Sequence, residues 1–233
     1  MTDSSANPSK SLSAGRITGR VAIVKAVEDC GVVAVIRMKD AARVAAVVEA
    51  LANGGVKVLE ITMTVPRAVD VIRSIAATIG DDIVLGAGTV LDGETAGLVI
   101  DAGARFVVAP TFDPETIRVC HARDVPAMPG CFTPTEMLRA WQIGADIIKV
   151  FPATTLGPGY LKDVRAPLPQ LRLMPTGGVT IENAGDWIRA GAVAVGIGSA
   201  LVDSKAVAAG DYRRIEDAAR LLISNVRSAR AAR

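Results

Sequence analysis

The sequence predicts an α/β protein, specifically a single (β/α)8 TIM barrel with an extra N-terminal helix. Short runs of β-branched residues alternate with alanine-rich segments of helical period, and the runs begin about every 19–26 residues. The runs are continuously apolar rather than alternating, which is typical of parallel strands covered on both faces. We therefore expect eight strands, at 32–37, 58–62, 83–88, 106–109, 127–129, 146–151, 171–175 and 193–196.

The main competing architecture is a doubly wound open sheet. Such a sheet usually has fewer strands and favours a glycine-rich dinucleotide fingerprint directly after the first strand. Here the first run continues into Arg37-Met38-Lys39-Asp40, which contains no glycine. The strand count and this missing fingerprint both favour the closed barrel.

The residues between the runs carry helix start and stop signals. Asp113-Pro114-Glu115 and the segment from Thr133 to Glu136 have the composition of helix N-termini. Glycines precede several strands, where a left-handed C-cap is expected, namely at Gly54-Gly55, Gly103, Gly144 and Gly191.

The two ends of the chain are expected to differ. Residues 1–16 are rich in Ser, Ala and Lys and lack an apolar export segment, so we predict a disordered N-terminal extension on a cytoplasmic protein. Residues 17–233 are predicted to form the barrel domain. An amphipathic segment at 17–30 is expected to cap the barrel bottom, and the segment 212–229 is expected to be the eighth helix.

Composition excludes several classes of function. The net charge is +2 and only 3% of residues are aromatic, so nothing indicates nucleic-acid binding. Charges interrupt every apolar run, and none is long enough to span a membrane. The cysteines Cys30, Cys120 and Cys131 and the single His121 have no metal-ligand spacing, and His121 is expected to be a surface or packing residue. We predict no metal and no cofactor.

Lys149 is the first candidate catalytic residue, because it stands in the apolar run Ile147-Ile148-Lys149-Val150-Phe151. Burial penalises the ammonium form and lowers the lysine pKa, which increases the fraction of nucleophilic neutral amine. The alternatives are a lysine that reaches solvent at the strand end or one held in a structural ion pair.

Glu60 is the second ionisable residue within an apolar strand, in Val58-Leu59-Glu60-Ile61-Thr62. Placed near Lys149, it can shuttle protons to and from a bound substrate. Alternatively it only neutralises the lysine, and a close carboxylate then holds the amine protonated.

In a parallel barrel the working residues lie at the carboxyl ends of the strands. The strand ends predicted here carry Arg37, Glu60, Thr89, Pro110, Gly130, Lys149 with Phe151, Thr176, and Gly198 with Ser199. The glycines Gly177 and Gly178 after the seventh strand, with Gly198 and Ser199 after the eighth, predict a phosphate site, and a short helix behind the eighth strand is expected to aim its positive end at it.

Six motifs together resemble one family, the 2-keto-3-deoxy-6-phosphogluconate / 4-hydroxy-2-oxoglutarate aldolases. The resemblance runs in order from about Val32 to Val226. The motifs are Glu60-Ile61-Thr62, Gly86-Ala87-Gly88-Thr89, Met128-Pro129-Gly130, Lys149-Val150-Phe151-Pro152, Pro175-Thr176-Gly177-Gly178-Val179 and Gly198-Ser199.

The resemblance implies a class I aldolase without a metal and typically a homotrimer. It implies that Lys149 forms a Schiff base with the keto acid and that Glu60 moves the protons. It also implies that Thr89, Pro110, Phe151 and Thr176 shape the pyruvate end, and that Gly177, Gly178, Gly198 and Ser199 hold the phosphate.

The sequence departs from one branch of this family at Thr64, where that branch has an arginine. Another branch resembles this chain and supplies the arginine at the end of strand one, which is Arg37 here. Arg37 is then the cation for the substrate carboxylate or phosphate. The alternative is a rim ion pair between Arg37 and Glu60, and Arg67, expected in the following helix, is the weaker candidate.

We therefore expect cleavage of 2-keto-3-deoxy-6-phosphogluconate to pyruvate and glyceraldehyde 3-phosphate, and of 4-hydroxy-2-oxoglutarate to pyruvate and glyoxylate. Two alternatives remain at this point. One is a phosphosugar isomerase or epimerase that uses Glu60 and Lys149 as acid and base. The other is a non-catalytic barrel that binds a phosphorylated ligand.

Overall fold

The computed structural model describes residues 16–232. The predicted N-terminal extension therefore lies outside the described residues, apart from Arg16. Within them the chain alternates strands and helices, in the order α1 (Arg20–Cys30), β1 (Val32–Ile36), α2 (Val44–Asn53), β2 (Val58–Thr62), α3 (Ala68–Thr78), β3 (Val84–Gly88), α4 (Gly93–Asp101), β4 (Val107–Val108), α5 (Pro114–Ala122), β5 (Ala127–Met128), β6 (Gly130–Cys131), α6 (Pro134–Gln142), β7 (Ile148–Val150), α7 (Gly157–Arg165), β8 (Leu173–Pro175), α8 (Ala184–Arg189), β9 (Val195–Ile197), α9 (Ser204–Ala209) and α10 (Tyr212–Ala231).

All strand pairings are parallel, which confirms the predicted α/β class with a parallel sheet. One sheet has six strands in the order β5-β4-β3-β2-β1-β9, and a second sheet has three strands in the order β6-β7-β8. The predicted fifth strand is divided at Pro129, which has no N–H to donate, although its carbonyl still accepts from Lys149 N at 2.9 Å. A single parallel bridge joins Thr176, just after β8, to Gly196 in β9.

Helix ends follow the predicted capping residues. Asp113 accepts from Thr116 N at 2.8 Å, and Thr133 forms a capping box with Glu136. Four of the predicted cap glycines have positive φ, namely Gly55, Gly103, Gly144 and Gly191. Local sequence therefore determines where these helices begin and end.

Helix α1 packs its Ile23, Val24 and Val27 against an apolar cluster of strand residues. This cluster takes one or two buried side chains from each predicted strand, namely Val33, Val58, Val84, Phe106, Val108, Met128, Ile147, Met174 and Ala194. Most of these residues lie in the amino-terminal half of their strands or just before them, so α1 covers that end of the sheet. The carboxyl ends are left for the residues of the candidate site. No helix within residues 16–232 is long and apolar enough to cross a bilayer.

Candidate active site

Lys149 occupies the middle of β7 and is only 5% exposed. Its strand neighbours in register are Gly130 and Met174. Burial lowers the pKa of the Lys149 amine, the nearby Glu60 carboxylate partly opposes this, and the Arg37 charge lowers the pKa further. The Nζ atom lies 4.9 Å from the centre of the Phe151 ring. Lys149 is therefore a buried amine whose surroundings shift its protonation equilibrium towards the neutral form.

Glu60 lies in β2 and is 1% exposed. Burial raises the pKa of its carboxyl group, while the charges of Lys149 and Arg37 act to lower it. Among the described residues, neither carboxyl oxygen has a hydrogen-bond partner, and no ion pair within 4.0 Å joins Glu60 to Lys149. The two groups are near enough to alter each other's pKa but do not form a closed ion pair.

These opposite shifts bring the two pKa values towards each other. The lysine pKa is lowered and the carboxyl pKa is raised, so each moves towards neutrality, the direction expected of groups that exchange protons in catalysis. Because the two groups interact, their titrations belong to the pair rather than to either residue. This pattern is typical of an acid–base and nucleophile pair and is not what an inert apolar core requires.

Two glycines in the neighbouring strands make room for these polar side chains, and sequence reasoning assigned them no such role. A Cβ on Gly88 of β3 would clash with the Glu60 carboxylate, and a Cβ on Gly196 of β9 would clash with the Thr176 hydroxyl. Register explains the first contact, since Thr62 pairs with Gly88 and Glu60 with Gly86. The signal in the sequence was a Gly-x-Gly pattern inside a strand, where side chains normally pack.

Gly88→Ala is therefore expected to displace the Glu60 carboxylate and to lower kcat about 100-fold, since a shift of about 1 Å in a catalytic group has effects of this size. The matched control is Gly97→Ala in α4, where a new Cβ meets only Arg123 Nη2 at 3.6 Å. Steady-state kinetics of both variants check this expectation. Equal kcat for Gly88→Ala and the control would contradict the proposed importance of the Glu60 position.

The other predicted pyruvate-end residues follow the carboxyl ends of three strands. Thr89, after β3, adopts the left-handed region with φ 59°, which costs about 1–3 kcal/mol for a non-glycine residue and is often found at functional sites. Pro110 follows β4, and its carbonyl lies against the Cα of Gly130. Thr176 is 8% exposed, and its Oγ1 is buried with no partner among residues 16–232. Its hydroxyl therefore has unused hydrogen-bonding capacity.

The predicted phosphate residues lie in two turns. Gly177 and Gly178 have φ of 88° and 76°. A Cβ atom added to Gly178 would lie only 2.7 Å from the Cα atom of Thr154. Gly198 and Ser199 lie in the solvent-accessible turn after β9. The expected short helix after the last strand is α9, which begins at Ser204 and is capped by the Asp203 carboxylate, which accepts from Lys205 N at 2.8 Å. That this helix end faces the phosphate stays a prediction. An anion in these turns would depend on their backbone.

Arg37 follows β1 directly and is exposed. Among residues 16–232 it forms no ion pair with Glu60, so the alternative of a rim pair is not found. The charge of Arg37 acts to lower the pKa of both Glu60 and Lys149. Arg67 lies one residue before α3 rather than in it, and it pairs with Asp70 at 2.9 Å.

His121, Cys120 and Cys131 are not among the groups that shift the pKa of Glu60 or Lys149. His121 Nε2 is 3.2 Å from Asp146 Oδ2, and Arg20 donates to the other Asp146 oxygen at 2.7 Å, so His121 packs in a structural network near the start of β7. Burial raises the pKa of the Cys120 and Cys131 thiols to about 12. Within the described part of the chain, no group of three or more His, Cys, Asp or Glu side chains is placed to hold a metal ion.

The fold and this buried pair define a parallel α/β protein with a candidate amine nucleophile buried in β7. The family model described as "Aldolase: KDPG and KHG aldolase" matches residues 23–218. The chain therefore belongs to the KDPG and KHG aldolase family.

Individual relatives agree with this family. The chain is 37% identical over 190 residues to the KHG/KDPG aldolase of Escherichia coli strain K12, covering 81% of this chain and 89% of that one. It is 33% identical over 196 residues to the 2-dehydro-3-deoxy-phosphogluconate aldolase of Treponema pallidum, covering 84% and 93%. The crystal structure of the KDPG aldolase of Legionella pneumophila, with pyruvate captured as a covalent carbinolamine intermediate, superposes with a TM-score of 0.79 at 28% identity, covering 88% and 98%.

Proposed function

We propose that this protein is a class I aldolase that cleaves 2-keto-3-deoxy-6-phosphogluconate to pyruvate and glyceraldehyde 3-phosphate. We propose 4-hydroxy-2-oxoglutarate, cleaved to pyruvate and glyoxylate, as a second substrate. The observation that carries the proposal is Lys149, a buried amine with a lowered pKa beside a carboxyl group with which it forms no ion pair. The relatives named above and the pyruvate carbinolamine of the Legionella protein support the same chemistry.

In the first half of the reaction the neutral Lys149 amine attacks the C2 carbonyl carbon of the keto acid. The resulting carbinolamine loses water and becomes a protonated imine, and Glu60 moves the protons that these steps require. Glu60 then accepts the proton of the C4 hydroxyl. The C3–C4 bond breaks, its electron pair enters the imine to form an enamine, and C4 leaves as the aldehyde.

In the second half a proton is added to C3 of the enamine, and Glu60 is the group placed to return it. Water then adds to the imine carbon and releases pyruvate, which regenerates the free amine. The water lost in the first half is recovered here, so the steps balance with the keto acid, the amine and water alone, and we propose that no cofactor and no metal takes part. The lowered pKa of Lys149 and the raised pKa of Glu60 both favour these proton transfers.

The remaining candidate residues bind the substrate in this proposal. Thr89, Pro110, Phe151 and Thr176 surround the pyruvate end, with the unpartnered Thr176 hydroxyl as a donor to the substrate. Gly177, Gly178, Gly198 and Ser199 hold the phosphate through the backbone of their turns. Arg37 supplies a cation for a substrate carboxylate or phosphate, which replaces the arginine absent at Thr64.

Release of pyruvate tests the function directly. Purified protein is mixed with the gluconate-derived and galactonate-derived phosphorylated keto acids and with 4-hydroxy-2-oxoglutarate, and pyruvate is followed by coupled reduction to lactate. We expect turnover with the gluconate-derived substrate, and the comparison reports the preference at C4. If the protein releases no pyruvate from any of the three, the proposal is wrong.

We infer that the strands close into the complete (β/α)8 barrel, with α1 as the additional helix, and that residues 17–233 form its single domain. Three observations support closure. The Thr176–Gly196 bridge connects the end of β8 to β9, only Pro129 separates β5 from β6, and all eight predicted strands contribute to the cluster beneath α1.

We also infer a homotrimer, as the family resemblance implies, and a cytoplasmic location. Large apolar side chains are exposed on α4 and α6 or beside them, at Leu91, Leu98, Phe132, Trp141 and Ile143, and exposed apolar groups of this kind are typical of subunit interfaces. All three cysteines are free, as in a reducing compartment.

Light scattering coupled to gel filtration is expected to give three times the chain mass of 24.1 kDa. Leu98→Arg should weaken the assembly, because burying an unpaired arginine in an interface is costly. Leu221→Arg in α10 is the control, since Leu221 is also exposed but lies on another helix. A wild-type mass of 24.1 kDa would contradict the trimer.

A further inference from the structure

A groove of about 780 Å³ opens beside the candidate active site, between the loop after β1 and helix α9. We call it the rim groove, and its lining includes Arg37, Met38, Lys39, Thr64, Val202 and Val207. The volume lies within the range of about 300–1,000 Å³ found for small-molecule sites. It lies beyond the residues assigned to the pyruvate and phosphate ends, apart from Arg37, which borders both.

The charges in the rim groove do not balance. Its one carboxylate, Asp40, accepts a hydrogen bond from Arg43 Nε at 3.0 Å. Arg43 also donates to the carbonyl oxygens of Val207 and Ala208 at the end of α9. Asp40 and Arg43 therefore satisfy each other. Arg37 and Lys39 have no ion-pair or hydrogen-bond partner among the described residues, which leaves two uncompensated cations. The groove is thus suited to an anion.

The rest of the lining is apolar or carries hydroxyl groups. Met38, Val202 and the α9 residue Val207 provide hydrophobic surface, and Thr64 and Ser204 carry the hydroxyls. An apolar stem that ends in a carboxylate or phosphate matches this combination, because the stem loses contact with water while the charge stays near Lys39. Arg37 lines the groove, and its charge also acts on the pKa of Glu60 and Lys149.

We propose that the rim groove is a second aldehyde subsite, in which Lys39 selects aldol partners that carry an anionic group on an apolar stem of several carbons. The substrate class is the 2-keto-4-hydroxy acid formed from pyruvate and such an aldehyde. This proposal rests on the proposed aldolase function. Lys39 determines specificity here and has no part in forming or breaking bonds.

The test compares pairs of aldehydes that differ only in the terminal charge. Pyruvate is condensed with succinic semialdehyde or with its methyl ester, and kcat/KM is measured for both. The wild-type protein is expected to prefer the acid about tenfold, the size of one hydrogen bond to a charged group. Lys39→Met should remove most of this preference. Lys162→Met, in the last turn of α7 and outside the groove, should retain it.

Two results overturn the inference. The first is that the wild-type protein and Lys39→Met prefer the acid over the ester by the same factor. The second is that Lys39→Met and Lys162→Met lose this preference to the same extent. Borohydride trapping of pyruvate on the wild-type protein separates this outcome from failure of the aldolase function. If the wild-type protein traps no pyruvate, the function is wrong and the subsite is wrong with it. Trapping without selectivity refutes the subsite alone.

Discussion

Lys149→Met is expected to reduce cleavage of the keto acid by about 10⁴-fold or more, because loss of a covalent nucleophile removes the whole reaction path. Methionine has nearly the same length and suits the buried position in β7. Steady-state kinetics with the gluconate-derived substrate measure the loss, and circular dichroism verifies the fold.

Lys149→Arg is the matched variant, because it keeps a cation but removes the nucleophilic amine. It should be as inactive as Lys149→Met. If Lys149→Arg instead retained substantial turnover, the lysine would act only through its charge. An isomerase or epimerase that used Lys149 as an acid would also lose activity, but its wild-type form would exchange substrate protons with solvent and release no pyruvate.

Glu60→Gln is expected to lower kcat by about 10²–10⁴-fold, the usual range for removal of a general acid–base group. The amide fills the same space beside Gly88 but cannot carry protons between C4, C3 and the nitrogen. Kinetics of single turnover should show slower formation of the covalent adduct as well, since carbinolamine dehydration needs the same proton transfers.

If Glu60 only neutralises Lys149, Glu60→Gln is not expected to lower activity. The Glu60 charge acts to raise the pKa of Lys149, so its removal would lower that pKa and increase the neutral amine. Activity would then stay the same or rise. A measured kcat at or above that of the wild-type protein would therefore rule out the proton shuttle.

Glu60→Gln is also expected to change how the free energy of unfolding depends on pH. Burial raises the pKa of Glu60 in the folded protein, so the wild-type protein loses stability as the pH rises through that folded pKa. Glu60→Gln does not titrate and escapes this loss. In urea unfolding, the stability of the variant relative to the wild-type protein should increase from pH 4 to pH 7. A constant or falling difference would show that Glu60 is not desolvated.

The sequence was most informative where an ionisable residue stands among apolar neighbours. Lys149 and Glu60 were recognisable because each is an ionisable residue in an otherwise apolar strand, and the structure places both in buried strands as expected. Strand order along the chain and the capping residues Asp113 and Thr133 were also predictable, because they depend on local periodicity and local hydrogen bonds.

Features that depend on contacts between strands were not predictable in the same way. The space that Gly88 leaves for Glu60 follows from cross-strand register, which a single sequence does not specify. The Asp203 carboxylate that caps α9 places a negative charge at the helix end that was expected to face the phosphate. The rim groove likewise depends on how α9 packs against the loop after β1.

Reduction with borohydride in the presence of pyruvate tests most directly whether the Lys149 nitrogen bonds to the substrate carbonyl carbon. We predict that peptide mass spectrometry of the treated wild-type protein will find a pyruvate-derived addition on Lys149 and on no other lysine. Lys149→Met should remain unmodified under the same conditions. Folded wild-type protein that carries no adduct, or carries it on a different lysine, would contradict the account.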